Sequence, residues 1–209
     1  MPPALSRRHA LAATLALAAL GRTARADLPS AGDEALQLVE AYLNSFRTLQ
    51  ARFEQIAPDG SMATGKVYLK RPGQMRFDYD PPSQVLLVAT DWRLIFWDGS
   101  IGQQNVIPLA QTPLGFLLAE KVELGGEVKV TDVVEQEGEI DVTVVRAAEP
   151  DQGSVTLVFG NAPVALRRWS VTDAQALVTQ VLLYDVELDV PLDAALFRWR
   201  DPKLFGPPE

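Results

Sequence analysis

The chain contains no cysteine, and its single histidine, His9, lies close to the N-terminus. Without cysteine the protein has no disulfides, no thiol nucleophile, no Cys-ligated zinc and no lipid-anchored N-terminal cysteine. A lone histidine near the start leaves the rest of the chain without Ser-His-Asp catalysis and without most zinc and copper sites. We therefore predict no metal and no cofactor, and a fold that packing alone stabilises.

The first 26 residues have the features of an export signal. Arg7 and Arg8 form a basic start, residues 10–20 (ALAATLALAAL) are apolar, and Ala24 to Ala26 form an A-x-A-like cleavage site. The apolar run is too short to span a membrane, which takes about 20 residues. The arginine pair also suits a twin-arginine signal, so the Sec and twin-arginine routes both stay open. We predict cleavage after Ala26 and a periplasmic location; a soluble N-terminal helix is the alternative.

The segment that follows this signal is strongly acidic. Residues 27–209 hold fifteen Lys and Arg against 27 Asp and Glu, a formal net charge of −12. Such a surface repels nucleic acid and anionic membranes on average. These 183 residues are enough to form one domain with a sizeable core. We predict a single domain over residues 27–209, monomeric and without a nucleic-acid partner.

Apolar residues first follow a helical period and then a strand period. A helix is predicted where they recur at spacings of three and four, with Glu40, Asn44 and Arg47 largely on the opposite, polar face. From Ala51 onward the pattern alternates every second residue, with turn signals about every 8–12 residues. The apolar helical positions are Leu36, Val39, Tyr42, Leu43, Phe46 and Leu49.

The alternation predicts a mainly β protein. We expect a single, strongly curved antiparallel sheet of nine or ten strands that forms an incomplete barrel. Residues 101–108 show no regular pattern and are predicted to be irregular. Thr112 to Glu120 is predicted to be a short helix, with Thr112 as its cap and Pro113 at its first position. This segment is apolar almost all round, so it must cover or enter something.

A half-open barrel with two helical pieces over its concave face can enclose a hydrophobic cavity. The alternative is that both helical pieces are ordinary parts of a filled core, and composition does not separate the two. If a cavity exists, the inward strand residues should line it and the short helix should lie above as a lid. The predicted lining residues are Val67, Leu69, Phe77 and Leu87 from strands, and Leu114, Leu117 and Leu118 from the lid.

Strand alternation places Arg71 on an inward face, with Val67 and Leu69. A buried guanidinium is costly unless it is bonded, and its five donors suit the carbonyl or carboxylate groups of a helix end. One hypothesis is that Arg71 latches the lid. The other is that it swings out to solvent, because it stands at a strand end before Pro72.

Several segments together resemble the periplasmic outer-membrane lipoprotein carrier family, known as LolA. They are Phe53 to Gln55 (FEQ), residues 65–79 (GKVYLKRPGQMRFDY), the hairpin from Val85 to Asp98, the lid segment Thr112 to Leu118, and Phe197 to Pro202 (FRWRDP). No one motif is strong, but their order and spacing span nearly all of residues 27–209. The chain departs from the family where Asp91-Trp92 replaces a D-G turn and where Trp199 replaces Phe.

The resemblance implies an incomplete barrel whose cavity carries the acyl chains of lipoproteins from the inner to the outer membrane. It implies loading from an inner-membrane ABC-type release complex and unloading to an outer-membrane acceptor. It also implies that Arg71 is the arginine that bonds to the lid when the carrier is closed. A polar latch of this kind weakens net ligand binding, because opening the carrier costs energy.

Three other functions are weighed against this one. An anchored receptor of the same fold needs a lipidated cysteine, which is absent. A periplasmic lipid-binding sensor is expected to need a second domain. A lipid-acting enzyme would have to use carboxylates, and the dense spacings are Asp78 with Asp80, and Asp185 with Glu187 and Asp189. We expect those carboxylates to be solvated, and we predict that the protein is not an enzyme.

Overall fold

The computed structural model describes residues 31–112 and 114–200. The predicted signal peptide and its cleavage site lie outside these residues, as does Pro113 at the predicted start of the lid helix. No helix in the described ranges is long and apolar enough to cross a membrane.

One antiparallel sheet of eleven strands makes up most of the protein. Its order is β6-β5-β4-β3-β2-β1-β11-β10-β9-β8-β7, so sequence neighbours pair except where β1 meets β11. The two outermost strands, β6 and β7, do not pair with each other, so the sheet is not closed. The strands are β1 Thr48–Ile56, β2 Met62–Lys70, β3 Gln74–Tyr79, β4 Val85–Thr90, β5 Arg93–Asp98, β6 Gln103–Pro108, β7 Val128–Gln136, β8 Glu139–Arg146, β9 Gly153–Asn161, β10 Val164–Asp173 and β11 Val178–Leu188.

The sheet is strongly curved, as the contacts across its inner face require. Phe77 on β3 and Trp169 on β10 have ring centroids 6.3 Å apart. These strands are four positions apart in the sheet order, so a flat sheet would separate them by about 19 Å. The predicted incomplete antiparallel barrel is therefore confirmed, with eleven strands rather than nine or ten.

The edge strand β6 was not predicted. Its residues Gln103–Pro108 (QQNVIP) are mostly exposed and lack the alternation of a strand with one buried face. Backbone pairing with β5, from Arg93↔Pro108 to Asp98↔Gln103, forms this strand instead. Because an edge strand needs one partner and no buried face, periodicity does not detect it.

The single α-helix of the described residues, α1, spans Ala31–Asn44. Ala35, Val39 and Leu43 are buried on its inner face, and Phe46 continues that face just after the helix ends. These residues belong to the same core as the inward side chains of β1, β2 and β3. The helix therefore packs on the concave side of the sheet, as the three-and-four spacing predicts.

The predicted lid helix over Thr112 to Glu120 is wrong. The chain forms two separate 3-10 turns, Leu109–Gln111 and Gly115–Leu118. The Thr112 hydroxyl donates to the Leu109 carbonyl oxygen at 2.7 Å instead of capping a helix. Since an isolated four-residue turn has too few hydrogen bonds to nucleate an α-helix, packing shapes this segment. We use "lid segment" below for residues 114–124, in which Phe116, Leu117 and Leu118 are buried.

The outer face of the sheet is also covered in part. Leu86, Val88 and Trp97 point away from the main core and form a second cluster against Trp199. The 3-10 turn Ala194–Phe197 lies beside them, and Arg76 donates to the Leu196 carbonyl oxygen at 3.1 Å. The C-terminal part of the described chain thus shields outward apolar residues of β4 and β5.

The β4–β5 turn carries backbone strain. Asp91 and Trp92 have φ angles of 48° and 58°. Trp92 is 63% exposed, although its ring packs over Gly73. A left-handed conformation costs a residue with a Cβ about 1 kcal/mol, whereas glycine adopts it freely.

We expect Trp92→Gly to raise the free energy of unfolding by about 0.5–1 kcal/mol, since it relieves this strain at a mostly exposed position. Trp92→Ala is the matched control, because it removes the same ring but keeps the Cβ. Urea unfolding of both variants measures the difference. If Trp92→Gly is no more stable than Trp92→Ala, the strain at this turn is not significant.

Candidate functional site

The concave face of the sheet, α1 and the lid segment enclose an entirely apolar interior with one arginine at its border. Side chains fill most of it, and the remaining cavity has a volume of about 30 Å³. A space of this size holds water-sized molecules but not an acyl chain. An acyl chain therefore needs the lid segment or α1 to move. The cavity is lined by Leu43, Phe46, Leu49, Val67, Leu69, Arg71, Met75, Leu114, Leu117, Leu166, Trp169 and Leu183.

Four of the seven apolar residues predicted to line a cavity border this one. Val67 and Leu69 reach it from β2, and Leu114 and Leu117 reach it from the lid segment. The other three lie in the same core without bordering the cavity: Phe77 and Leu118 are buried, and Leu87 is half-buried. A role for any of the seven in lipid binding stays a prediction.

Aromatic packing explains why Phe77 stays behind the cavity wall. Its ring meets Phe53 edge to face, with centroids 5.0 Å apart, and it meets Trp169 in the same way. Tyr79 also packs edge to face on Phe53 at 5.1 Å, and its hydroxyl donates to the Gln55 side-chain oxygen at 2.7 Å. These rings form a rigid floor beneath the cavity.

Arg71 lies inside the protein, with 7% of its surface exposed. Its Nε donates to the Leu117 carbonyl oxygen of the lid segment at 2.7 Å. Its Nη1 donates to the Phe46 carbonyl oxygen at 3.1 Å and also to the carbonyl oxygen of Leu43. The guanidinium therefore joins the end of α1 and the lid segment to the turn that follows β2.

The guanidinium is costly to bury, and its surroundings are mainly neutral. Burial lowers the pKa of Arg71 to about 10, and the nearby positive charge of Arg47 adds to this effect. The group is still charged at neutral pH. Its carbon atom lies 4.7 Å from the Phe46 ring centroid, a cation–π contact that offsets part of the desolvation. The side chain does not swing out to solvent.

A second set of bonds ties the lid segment to α1, and sequence reasoning missed it. Asn44 Nδ2 donates to the Val122 carbonyl oxygen at 2.8 Å, and Val122 N donates to Asn44 Oδ1 at 2.9 Å. Arg47 Nη1 donates to the Glu120 carbonyl oxygen at 2.6 Å, and Leu124 N donates to the Glu40 carboxylate. We call Glu40, Asn44 and Arg47 the helix clamp.

The helix clamp lies on the polar face of the predicted helix. In the sequence the spacing of its three residues, i, i+4 and i+7, is that of one helical stripe, although α1 ends at Asn44 and Arg47 lies just beyond it. This spacing is the sequence feature that could indicate a polar contact, but polar stripes on surface helices are common. Only the folded chain brings it against residues about 80 positions away in the sequence.

The carboxylates considered for an enzyme lie outside the apolar interior, and three of the five accept hydrogen bonds. Asp80 accepts from Arg52 Nη2 at 2.5 Å and from the Thr64 hydroxyl at 2.7 Å, and these bonds lower its pKa to about 2. Asp78 accepts from Arg76 Nε at 2.6 Å. Asp189 accepts from the Arg47 amide at 2.8 Å, and Asp185 and Glu187 are exposed on β11.

An open antiparallel sheet whose apolar concave face is covered by a helix and a lid segment defines an incomplete β-barrel of the binding-protein type. The family model described as "Outer membrane lipoprotein carrier protein LolA" matches residues 44–200. The chain therefore belongs to the LolA family of outer membrane lipoprotein carrier proteins.

Individual proteins are similar to this chain in sequence or in structure. The chain is similar to the outer-membrane lipoprotein carrier protein of Azotobacter vinelandii, with 29% identity that covers 84% of this chain and 88% of the relative. The carrier protein of the same name from Methylococcus capsulatus is 27% identical, covering 78% and 82%. A solved LolA superfamily structure from Nitrosomonas europaea is 12% identical, covers 80% of this chain and 97% of its own, and has a TM-score of 0.46.

Proposed function

We propose that this protein binds the acyl chains of lipoproteins in its apolar interior and carries them through the periplasm from the inner to the outer membrane. The observation that carries the proposal is the Arg71 guanidinium, which holds the carbonyl oxygens of α1 and the lid segment together at the border of an apolar cavity. Membership of the carrier family supports the same function.

The energetics favour a carrier that opens to load. Each buried methylene contributes about 0.8 kcal/mol, so acyl chains bind strongly once α1 and the lid segment make room for them. The bonds of Arg71 favour the closed form, so part of that binding energy is spent on opening. This lowers the net affinity, and a carrier must not bind so tightly that it keeps its cargo.

The proposal includes two membrane partners and an export step. An inner-membrane ABC-type release complex would supply the lipoprotein, and an outer-membrane acceptor would take it. The signal peptide in residues 1–26 would direct the chain to the periplasm, where both partners are reached.

Native mass spectrometry of the protein purified from the periplasm tests location and cargo together. We expect a chain that begins at Asp27, with a fraction that carries lipopeptide or lipoprotein. Displacement of a hydrophobic dye by a triacylated lipopeptide should report binding in solution. Recovery of the full-length chain from the cytosol would contradict export, and a folded protein that binds neither dye nor lipopeptide would contradict the carrier function.

A further inference from the structure

The helix clamp matches the backbone of the lid segment in spacing. Glu40 and Asn44 lie one turn apart on α1, Arg47 follows three residues after the helix ends, and their partners Leu124, Val122 and Glu120 are alternate residues in reverse order. Four helical residues advance about 6 Å, so Glu40 and Asn44 contact the lid segment at two separate points. Together with Arg47, these side chains contact every second residue of the lid segment from Glu120 to Leu124.

Asn44 is the centre of the clamp, and it uses both ends of its carboxamide. One group donates to the Val122 carbonyl oxygen, and the other accepts from the Val122 amide. Nδ2 also donates to the Glu40 carbonyl oxygen at 2.8 Å, which holds the side chain in place. A donor and an acceptor side by side form the pair of bonds that a neighbouring strand would offer. A carboxylate or an alanine cannot form this pair.

Val122 connects the clamp to the bonds around Arg71. Its side chain is buried, with 1% exposed, so its backbone is held from outside by Asn44 and its side chain from inside by the core. The carbonyl oxygen of Leu117, five residues earlier, accepts from Arg71. The carbonyl oxygen of Leu118 accepts from the Gly73 amide at 2.8 Å. Restricting Val122 thus restricts where these two carbonyl groups can lie.

We propose that Asn44 is a positioning residue for the lid: by holding the Val122 backbone, it places the Leu117 carbonyl group at the Arg71 guanidinium. The inference deepens the proposed carrier function, because it assigns a second residue to the closing of the same cavity. It makes the closed form depend on two coupled contacts rather than on the arginine alone.

Hydrogen exchange at the Gly73 amide tests this without any lipid. This amide belongs to the turn after β2 and donates to the lid segment, so it exchanges when the lid segment lifts. We expect Asn44→Ala to speed its exchange by about tenfold, the effect of losing two neutral hydrogen bonds. In an Arg71→Leu background, Asn44→Ala should increase the Gly73 exchange rate by less than about threefold, because Asn44 acts through the arginine contact. Fully additive effects would overturn the proposal.

The pH profile of Asn44→Asp separates positioning from general loosening. The introduced carboxylate repels the Val122 carbonyl oxygen, whereas its protonated form restores the donor. We expect Gly73 exchange, corrected for its intrinsic rate, to return toward the wild-type value as the pH falls below about 5. The wild type and Asn44→Ala are the controls, because they contain the same charged neighbours: Glu40, Arg47, Glu120, Lys121 and Glu123.

Gln37→Ala is the matched control on the exposed side of α1, beside the same groove as Asn44, and it should leave Gly73 exchange unchanged. If Asn44→Asp shows no recovery at low pH beyond that of Asn44→Ala, the positioning role is wrong. Because exchange is measured without cargo, it can support this role even if lipopeptide binding fails. A failure of the carrier function is therefore distinguishable from a failure of this inference.

Discussion

Arg71→Leu is expected to accept lipoprotein at least as well as the wild type and to release it poorly. The substitution removes the bonds from the guanidinium to the carbonyl groups of Leu43, Phe46 and Leu117, but it keeps an apolar side chain at the cavity. Opening then costs less, so lipid entry is not hindered. The closed form no longer competes with bound cargo, so unloading loses its driving force.

The size of the effect follows from the bonds that are lost. Hydrogen bonds to a charged group contribute about 1.5–3 kcal/mol each, and about 1.4 kcal/mol corresponds to a factor of ten. We therefore expect transfer to the acceptor to fall at least about tenfold. A two-step assay measures loading from inner-membrane vesicles first and unloading to the purified acceptor second.

Two control variants make the test specific. Arg71→Lys keeps the positive charge but loses the planar fork of donors. Its unloading to the acceptor should therefore be intermediate between that of the wild type and that of Arg71→Leu. Arg93→Leu removes an arginine at the exposed start of β5 and should not change either step. Unchanged unloading by a correctly folded Arg71→Leu protein would refute the latch.

Gly65→Ala is expected to destabilise the protein by about 3 kcal/mol or more. A Cβ at this position would lie 2.1 Å from the Asp78 carbonyl oxygen, and 2.6 and 2.8 Å from two atoms of the Phe53 ring. Phe53 is 1% exposed and packs against Phe77 and Tyr79, so the ring cannot move without disturbing the aromatic floor. The strands β2 and β3 would have to separate.

Gly125→Ala is the matched control for this substitution. No atom lies within 4 Å of a Cβ built at Gly125. The change should therefore shift the free energy of unfolding by no more than about 1 kcal/mol in either direction. Denaturant unfolding of the two variants and the wild type gives the comparison. A Gly65→Ala protein as stable as Gly125→Ala would show that the strands adjust easily at Phe53.

Residues on regular strands were the easiest to predict from the sequence. Alternation places Val67 and Leu69 on the inner face, and both border the cavity. The same argument places Phe77 inward, but its neighbours Phe53 and Trp169 keep it away from the cavity. Alternation determines on which face of the sheet a residue lies, because successive side chains on a strand point to opposite faces. Which inward residue meets a void depends on the sizes of all its neighbours.

Segments without a period were predicted least well. The edge strand β6 has almost no buried face, so its backbone pairing with β5 defines it. Thr112 to Glu120 was predicted to be an α-helix from its apolar residues and its Thr-Pro start, but residues Gly115–Leu118 form a 3-10 turn instead. Short segments have too few local hydrogen bonds to set their own conformation, so the surrounding core decides it.

The sequence by itself determined the order of α1 and of most strands, the inward face of β1, β2 and β3, and the apolar face of α1. These are local properties, because neighbouring residues set the period of a helix or strand. Only the tertiary structure decided that the interior closes to about 30 Å³, that Arg71 turns inward to the Leu117 carbonyl group, and that Asn44 holds Val122. Such contacts join residues 46 and 78 positions apart, and the packing of a curved sheet brings them together.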